Sequence, residues 1–525
     1  MKLLGLLFLN VLFYKVSCEG ISIDLSRYHP SGVDNVFRKY YTVNEDTTTI
    51  DIDNIEDDVG FIIIQVHSFI ENITLSNSSS LGAHSYVTGK NIGMVWGSGE
   101  SNATFYLLRN IKYMVNVRIL LVVAVYDEFD PVPGGCNLTF DTVLAPYQLT
   151  SYNDEYITVK SQPPSAYGVS CDTSKIKVDM FHLYLPEYDR NNETYFDGIE
   201  KMLSVEDILR YGTKVPEIEG YFKFRRLYSS YRGTGEVFGM IATYNNKSAA
   251  YVPAVSYGCD LMDWDQNCIG PVTGFWKFVC ALLLIFGLFV CFLGHRFFKV
   301  TLYIIGFTFG VFITYLTISL EQNLTVNEKA ITSFVVGFLY GIFWTFIWWK
   351  FGIPLLSVNL VFVLSGCLVA SVIYYAGVAD IDIFTNDINF WVIFLSIILG
   401  CLIIFVPFTR MSHIVTCSFV GSYACITAMN HYVGGNLQYI IINTFRRATV
   451  KHFNYAVIDP PFQMLDIVNS FLWVVLFLFG VFVQIRDQHG KPPFPPNRSG
   501  VIRAARVTES TPLIHPETVA APEYV

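Results

Sequence analysis

The sequence predicts a membrane protein in which an all-β, β-sandwich-like ectodomain precedes a seven-helix transmembrane bundle. The 525 residues are 52% hydrophobic and only 15% charged, which favours a bilayer environment over water. Residues 19–270 alternate short β-branched and aromatic runs with clusters of Asn, Gly, Pro and Asp, the pattern of a sandwich. Seven apolar segments of about 17 to 23 residues follow, each long enough to cross a bilayer as a helix.

The N-terminus has the features of a secretory signal peptide. Met1-Lys2 precedes an apolar run from Leu3 to Phe13, and Val16-Ser17-Cys18 offers small or modest side chains to signal peptidase. The apolar run is too short to span a hydrocarbon core of about 30 Å. We therefore predict that residues 1–18 are a signal peptide cleaved after Cys18.

The ectodomain divides into two predicted β-sandwich-like domains, residues 19–145 and 146–270. The turn-rich stretch Asp130-Pro-Val-Pro-Gly-Gly-Cys-Asn137 is a natural boundary between them. The run from Ile119 to Val125 is short and β-branched, so it predicts a buried strand and not a membrane segment. A short helix is expected from Ser204 to Tyr211 inside a loop-like stretch of the second domain.

Acceptor sequons and cysteines both indicate that this region lies outside the cytoplasm. The ectodomain holds six N-x-S/T sequons, and a seventh falls in a predicted external loop close to the membrane. The predicted glycosylation sites are Asn72, Asn77, Asn102, Asn137, Asn192, Asn246 and Asn323. Between the predicted cleavage site and the first span lie Cys136, Cys171, Cys259 and Cys268, and three pairings are open to them. A short juxtamembrane loop closes easily, so we favour Cys259 with Cys268, which leaves Cys136 with Cys171.

The transmembrane domain is predicted over residues 274–485. Its seven spans are 274–294, 300–320, 331–349, 354–376, 390–408, 414–430 and 465–485. Loop charge predicts that the N-terminal side is external and the tail cytoplasmic, since basic residues concentrate in the loops that this orientation places inside. The inside residues include Arg296, Lys299, Lys350 and Arg410, whereas the outside loops carry Lys329, Arg446, Arg447 and Lys451. The loop His431 to Met464 is the open point, because its apolar centre is typical of a re-entrant or interfacial helix or of an eighth crossing.

Small and polar residues within the spans have a packing and a functional interpretation. Gly306-x-x-x-Gly310 and Gly337-x-x-x-Gly341 predict close helix packing. Asn359, Asn430, Asp466 and Asn469 are the polar groups in or near spans, and Asp466 is expected to reach water at the external end of the last helix.

The sequence offers no catalytic constellation. His295 and His413 stand at cytoplasmic helix ends, where a metal or a general base is conceivable, but no His-x-x-x-His, Gly-x-Ser-x-Gly or paired intramembrane aspartates occur. A non-enzymatic protein without a cofactor is therefore predicted. The net charge of −9 and the absence of a basic, aromatic-rich surface exclude nucleic acid as an expected partner.

The tail, residues 486–525, is rich in Pro, Arg and Glu and is predicted to be disordered. Within it, Glu509, Leu513 and Ile514 have the spacing of an acidic dileucine sorting motif. An accessible motif of this kind binds a clathrin adaptor, which makes the adaptor a candidate partner of the tail.

Two local motifs resemble a known family. The stretch from Asp130 to Asn137, together with Gly294-His-Arg-Phe-Phe-Lys299 leading into the helix of Gly306, is similar to the transmembrane 7 superfamily member 3 family. The membrane half also resembles the domain shared with transmembrane protein 198. The resemblance implies a non-enzymatic multi-pass protein that supports cell survival, by negative regulation of apoptosis, and attenuates the unfolded-protein stress response. It implies no catalytic residues, and the dileucine-like tail also resembles the family's C-terminal end.

Two functional hypotheses follow. The first is a glycoprotein of the secretory pathway, at the plasma or endolysosomal membrane, whose ectodomain binds an unidentified ligand or protein. The alternative is a transporter or channel, motivated by the small-residue packing and by a loose similarity between the hairpins around Arg296 and Arg410. A water-accessible cavity lined by Asn359, Asn430 or Asn469 would favour transport.

Overall fold

The computed structural model describes two compact units, Met1–Cys268 and Ile269–Val525, called here the ectodomain unit and the helical unit. The described residues are 19–30, 35–97, 99–109, 116–172, 175–217, 223–268, 274–320 and 324–495. The predicted signal peptide, the sequon at Asn323 and the sorting motif Glu509, Leu513 and Ile514 lie outside the described residues.

The first half of the ectodomain unit is a sandwich of two sheets. One sheet has the strand order β1-β3-β8-β5-β6 and the other the order β2-β9-β4-β7. The strands are β1 Glu19–Asp24, β2 Val36–Val43, β3 Thr47–Asp53, β4 Phe61–Ser68, β5 Ile73–Ser76, β6 Tyr86–Gly89, β7 Asn91–Gly97, β8 Ala103–Arg109 and β9 Val117–Tyr126. Strand β3 alternates half-buried and buried residues, because one face packs into the sandwich and the other approaches solvent.

Strand β9 is buried along nearly its whole length because both of its faces are covered. Ile119, Leu121 and Val123 belong to the core between the two sheets of the first half. Leu120 and Val122 point the opposite way and join the core of the second half. The buried strand predicted over this apolar run is present, and it connects the two cores.

The second half contains two further sheets and a helical layer. A three-stranded part, β10-β11-β14, accompanies a sheet ordered β13-β12-β15-β16, in which β17 also pairs with β15. These strands are β10 Leu149–Tyr152, β11 Tyr156–Lys160, β12 Lys177–Glu187, β13 Thr213–Lys214, β14 Arg225–Ser229, β15 Thr234–Tyr244, β16 Lys247–Ala250 and β17 Ala254–Ser256. The helices are α1 Asn192–Glu200, α2 Val205–Tyr211 and α3 Trp264–Asn267.

Helix α2 matches the helix predicted from Ser204 to Tyr211. The Ser204 hydroxyl caps it by accepting a hydrogen bond from the backbone N–H of Asp207 at 3.0 Å. Helix α1 begins in the same way, with Asn191 accepting from the Glu193 N–H at 3.0 Å, but the sequence analysis treats that stretch as a loop. Its buried residues Phe196 and Ile199 pack into the core that contains Leu120 and Val122.

The ectodomain cysteines form two disulfides. Cys136 bonds to Cys171 and Cys259 bonds to Cys268, which is the connectivity that the sequence analysis favours among the three. The remaining cysteines of the described chain are free thiols in the helical unit, either buried or half-buried among apolar side chains.

The described part of the helical unit contains seven long α-helices and one short α-helix. They are α4 Gly274–Leu293, α5 Phe298–Ser319, α6 Val326–Phe351, α7 Pro354–Tyr375, α8 Asp387–Phe405, α9 Thr409–Val433, α10 Tyr439–Thr449 and α11 Met464–Gln488. The seven long helices overlap the seven predicted spans. A two-residue strand, β18 Ala456–Val457, lies between α10 and α11.

By length and composition, five helical segments of the described chain could cross a membrane, and one of them is the 47-residue run Asp387–Val433 that contains α8 and α9. The apolar part of α4, Lys277–Leu293, is shorter than these five segments and is not one of them. The predicted fold class, a β-rich ectodomain followed by a helical membrane region, is confirmed. The number of crossings stays a prediction.

The beginning of the tail differs from its predicted disorder. Helix α11 continues to Gln488, three residues past the predicted end of the span. Beyond it, the Phe494 ring packs edge-on against Phe298 and His295, with ring centroids 5.4 and 5.6 Å apart. Packing of this aromatic ring in an apolar environment orders the residues around it. Amino-acid composition alone does not predict such packing.

Removing the two disulfides is expected to destabilise the ectodomain to different degrees, because they close loops of 35 and 9 residues. Chain-entropy estimates give about 4 kcal/mol for Cys136→Ser with Cys171→Ser and about 2.5 kcal/mol for Cys259→Ser with Cys268→Ser. Urea unfolding of the full chain purified in detergent, followed by tryptophan fluorescence, measures both values. Cys280→Ser, which removes a free thiol, is the control and leaves the midpoint unchanged. Equal losses from the two pairs would contradict the loop-length argument.

Candidate functional site

The ectodomain unit has a polar cleft between its two halves, with a volume of about 260 Å³. Lys90 and Asn91 contribute from the first half, and Gln148, Tyr195 and Tyr257 contribute from the second. Phe69, Ile92, Leu149, Val255 and Leu261 supply apolar walls. The combination of apolar walls with a few convergent polar groups is typical of a ligand site. We call this feature the interdomain cleft.

A buried hydrogen-bond network holds the floor of the interdomain cleft. The Tyr195 hydroxyl lies 3.0 Å from both Oδ1 of Asn91 and the Ser68 carbonyl oxygen, and these two acceptors share its single proton. Nδ1 of His67 lies 2.9 Å from the same Asn91 oxygen. Burial lowers the pKa of His67 to about 4, so the ring is neutral at neutral and mildly acidic pH. The network therefore fixes Asn91 and Tyr195 relative to each other.

The predicted sequons occupy different environments. Asn72, Asn77, Asn102 and Asn246 are exposed, as a glycan acceptor requires, and Asn72 lies at the interdomain cleft. Asn137 is half-buried, and its amide nitrogen donates to the carbonyls of Phe140, at 3.0 Å, and Thr142. Asn192 is half-buried at the start of α1, and its Oδ1 is buried without a hydrogen-bond partner. The four exposed sites fit glycosylation better than the other two.

The predicted glycine contacts lie between α5 and α6. A Cβ added to Gly306 would lie 3.2 Å from Cα of Gly341, and one added to Gly310 would lie 3.0 Å from Cα of Gly337. The two helices approach this closely because neither side chain intervenes. The sequence pattern thus places the four glycines in one helix–helix contact.

A second glycine contact, between α4, α9 and α11, was not predicted from the sequence. A Cβ on Gly421 of α9 would lie 2.5 Å from the Cys291 nitrogen of α4, and one on Gly287 would lie 3.0 Å from the Gly421 carbonyl. Gly480 of α11 completes the contact, since a Cβ added there would lie 2.8 Å from the Cys291 carbonyl oxygen. None of these three glycines has a second glycine four residues away in its own helix, so the GxxxG pattern did not indicate this contact.

The polar residues near the ends of α9 and α11 form one buried cluster. Oδ1 of Asp466 accepts a hydrogen bond of 2.6 Å from the backbone N–H of Asn436, and the Asn436 side chain reaches Oδ2 at 3.5 Å. Asn469 and Asn430 face each other at 2.9 Å beside Gly435. Asp466 is fully buried, so the expectation that it reaches water is wrong. We call Asn430, Asn436, Asp466 and Asn469 the Asp466 cluster.

The Asp466 cluster has a structural explanation. Asp466 lies in the first turn of α11, where the helix dipole favours a negative charge. Gly435 has a φ of +112°, and a Cβ there would lie 2.8 Å from the Asn469 amide nitrogen, so the turn requires glycine. Tyr423 also holds this turn, since its hydroxyl donates to the Leu437 carbonyl at 3.1 Å.

Asn359, the remaining polar residue of the spans, does not join this cluster. Its side chain is exposed on the outer surface of α7. The structure therefore brings Asn430 and Asn469 together but leaves Asn359 apart, and these three residues do not line one cavity.

The open loop from His431 to Met464 contains helix α10, which has 11 residues and is about 16 Å long. Such a helix is too short to cross a core of about 30 Å. Arg447 within it is buried, and its Nη2 pairs with the Asp387 carboxylate at 2.8 Å and also donates to the Phe384 carbonyl at 2.7 Å. Arg446 is buried too and bonds to Asn443 at 3.1 Å. These two arginines make buried contacts that stabilise the fold. Their presence in an external loop is therefore weak evidence against the predicted orientation, in which the N-terminal side is external.

His295 and His413 do meet, as their positions at helix ends allowed. Their Nδ1 atoms are 3.0 Å apart, and Nε2 of His295 lies 2.9 Å from the Pro493 carbonyl. Because Nε2–H must donate to that carbonyl, Nδ1 of a neutral His295 accepts from Nδ1–H of His413. Phe494 covers the pair. Within the described part of the chain, no group of three or more His, Cys, Asp or Glu side chains is arranged to hold a metal ion.

Two fused β-rich halves followed by a unit of long apolar helices define a class of protein. This class is the multi-pass membrane protein with an immunoglobulin-like ectodomain, and comparison with known sequences places the chain more narrowly. Residues 33–126 match the TM7SF3-like N-terminal immunoglobulin-like domain, residues 131–262 the TM7SF3-like second immunoglobulin-like domain, and residues 280–485 the TM7S3/TM198-like domain.

The chain belongs to the transmembrane 7 superfamily member 3 family. It is 32% identical over 483 residues to the human protein named transmembrane 7 superfamily member 3, covering 88% of this chain and 84% of that one. It is also 32% identical over 481 residues to the rat protein of the same name, covering 88% and 85%. The resemblance inferred from local motifs is thereby confirmed. The relatives carry the name of a membrane protein and not of an enzyme.

A larger residue in the α5–α6 contact is expected to destabilise the helical unit. Gly337→Leu would place a side chain against the Phe307 carbonyl, which lies 2.9 Å from a Cβ at this position, and against Val311. Overpacking of this kind costs about 1–3 kcal/mol. Thermal unfolding of the detergent-purified chain should show a lower midpoint. Gly400→Leu is the matched control, since nothing lies within 4 Å of a Cβ there. A midpoint equal to that of the control would rule out tight packing at Gly337.

Proposed function

We propose that the chain is a non-enzymatic membrane glycoprotein that supports cell survival and attenuates the unfolded-protein stress response through ligand binding by its ectodomain. The observation that carries this proposal is the interdomain cleft, a preformed polar site in an immunoglobulin-like ectodomain. Folds of this type commonly serve recognition, although function resides in the site and not in the fold. The stress-protective role rests on the family resemblance.

The proposed topology has seven crossings, with the N-terminus outside and the tail in the cytoplasm. The seven long helices and the shortness of α10 support the count. The exposed sequons support an external ectodomain, because oligosaccharide transfer takes place only in the lumen of the secretory pathway. We propose the plasma membrane and the endolysosomal membrane as locations, with the tail motif at Glu509, Leu513 and Ile514 binding a clathrin adaptor.

Transport is the second candidate function, and one observation favours it. Asp466 is a fully buried carboxylate in the helical unit, and buried ionisable groups in membrane segments commonly mark ion pathways. Against transport, the Asp466 oxygens already bind the Asn436 amide groups, and Asn359 lies elsewhere. The structural interpretation of Asp466 is therefore preferred.

The stress-protective role can be tested in cells that lack the protein. After thapsigargin treatment, such cells should show higher transcript levels of unfolded-protein response targets and more annexin-positive cells than parental cells. Re-expression of the full chain should restore both readouts, and re-expression of the Gly400→Leu chain should do the same. A knockout that responds like the parental line would reject the proposed role.

Transport and the structural role of Asp466 predict different outcomes for Asp466→Asn. Asparagine keeps an oxygen for the Asn436 N–H, so we expect the thermal midpoint to stay close to that of the parent. We also expect proteoliposomes with either chain to show no Na⁺ or H⁺ flux above empty vesicles. Asn359→Ala, an exposed position, is the control. Flux in the parent that Asp466→Asn abolishes and Asn359→Ala retains would establish transport instead.

A further inference from the structure

One glycosylation sequon, Asn72-Ile73-Thr74, opens directly onto the interdomain cleft. Asn72 is exposed and contributes to the lining of the cleft. The other exposed sequons, at Asn77, Asn102 and Asn246, do not contribute to it. A glycan joined to the Asn72 side chain would therefore begin at the edge of the cleft, whereas glycans on the other three would begin elsewhere on the surface.

The fold holds this attachment point in place. Ile73 is 2% exposed, belongs to the core of the first sandwich, and pairs with Gly89, which also lines the cleft. On the other side of Asn72, the Ser68 hydroxyl donates to the Glu71 carbonyl and closes the preceding turn. The backbone of Asn72 is thus fixed from both sides, so the first sugar of a glycan would start from a defined position beside one wall of the cleft.

The walls of the cleft carry exposed side chains that a sugar can reach. Tyr152 and Leu149, which β10 contributes from the second half, are 48% and 44% exposed. Thr88, which β6 contributes from the first half, is also exposed. A sugar ring combines hydroxyl groups with apolar C–H faces, so it matches a surface on which aromatic and aliphatic side chains stand beside hydroxyl groups.

The charge of the cleft suits a neutral occupant. Lys90 is half-buried in the lining, and burial lowers its pKa, while the nearby Asp260 carboxylate opposes this effect. Because Asp260 offsets the charge of Lys90, the cleft does not require an anionic ligand. The core of an N-glycan is uncharged, and its hydroxyl and acetamide oxygens can accept hydrogen bonds from an ammonium group.

We propose that the N-glycan on Asn72 folds back into the interdomain cleft and controls access to it. Its first sugars would lie between the wall that carries Thr88 and Lys90 and the wall that carries Leu149 and Tyr152. A ligand of the cleft would then have to displace the glycan. The inference rests on the proposed glycosylation and ligand-binding function, and it adds a means of regulating that same site.

The test measures how fast a cysteine in the cleft reacts with a maleimide–polyethylene glycol reagent. The full chain is expressed in a eukaryotic host and purified in detergent, and Thr150→Cys supplies the thiol because Thr150 lines the cleft and is half-buried. A glycan that fills the cleft for about nine-tenths of the time slows labelling about tenfold. We therefore expect Asn72→Gln to accelerate labelling of this cysteine by about tenfold. The chain without Thr150→Cys gives the background from the free thiols of the helical unit.

Two matched controls separate the glycan from other effects. Asn246→Gln removes a glycan from an exposed site outside the cleft, so it should leave the labelling rate of Thr150→Cys unchanged. Glu206→Cys places a thiol on an exposed position of α2, outside the cleft lining, and should react at the same rate with and without Asn72→Gln.

Thr74 provides an independent way to remove the glycan. Thr74→Val deletes the hydroxyl that the sequon requires but keeps Asn72 itself, so it should accelerate labelling as Asn72→Gln does. Thr74→Ser keeps the sequon and should not accelerate it. The Thr74 hydroxyl also lies 2.7 Å from the Thr88 hydroxyl, and serine can keep this hydrogen bond. Thermal midpoints close to that of the parent would show that the variants are folded.

Two results would overturn the proposal. The first is a gel mobility of the Asn72→Gln chain equal to that of the parent, because Asn72 would then carry no glycan. The second is a labelling rate of Thr150→Cys that is the same with and without the Asn72 glycan, because the glycan would then extend into solvent and leave the cleft open.

This inference and the proposed function can fail separately. Glycan-independent labelling, together with full rescue of stressed knockout cells by the parent chain, would reject control of the cleft by the glycan and leave the survival role standing. Labelling that depends on Asn72, in knockout cells that respond to stress like parental cells, would support the position of the glycan and reject the survival role.

Discussion

The ectodomain depends on one constraint, the burial of strand β9 on both faces. Odd-numbered residues such as Leu121 fill the first sandwich, and Leu120 and Val122 fill the core of the second half. Truncating a buried leucine typically costs about 2–5 kcal/mol, and here a single strand contributes to two cores. The two immunoglobulin-like halves therefore share part of their apolar core. They are not independent domains joined by a linker.

The shared core explains why the interdomain cleft is preformed. Helix α1 packs on the even-numbered face of β9 through Phe196, and the neighbouring Tyr195 reaches across to Asn91 of the first half at 3.0 Å. Because core packing fixes both walls, the polar groups between them are held without a ligand. Preorganisation of this kind lowers the entropic cost of binding.

The features predicted from sequence are those set by local pattern. The lengths of the apolar segments predicted the seven long helices, and alternating β-branched runs with turn residues predicted the β region. Ser204 predicted the start of α2. These signals can be found in the sequence because hydropathy and helix capping act over a few neighbouring residues. The burial of Asp466, the pairing of Arg447 and the docking of Phe494 depend on partners far along the chain. No periodicity encodes such contacts. The interdomain cleft was missed for the same reason, since Lys90 and Tyr257 come from different halves.

Both units contain buried polar groups that are paired and others that lack a hydrogen-bond partner. In the helical unit, Asp466 and Arg447 both have partners, so their burial is accounted for by the fold. In the interdomain cleft, the Tyr257 hydroxyl and the Gln148 oxygen lack partners although neighbouring bonds and packing fix their side chains. An unpaired buried group costs free energy, because desolvation is unfavourable without a hydrogen bond in return. The paired groups Asp466 and Arg447 therefore maintain the packing of the helical unit, and the ectodomain is the proposed site of recognition.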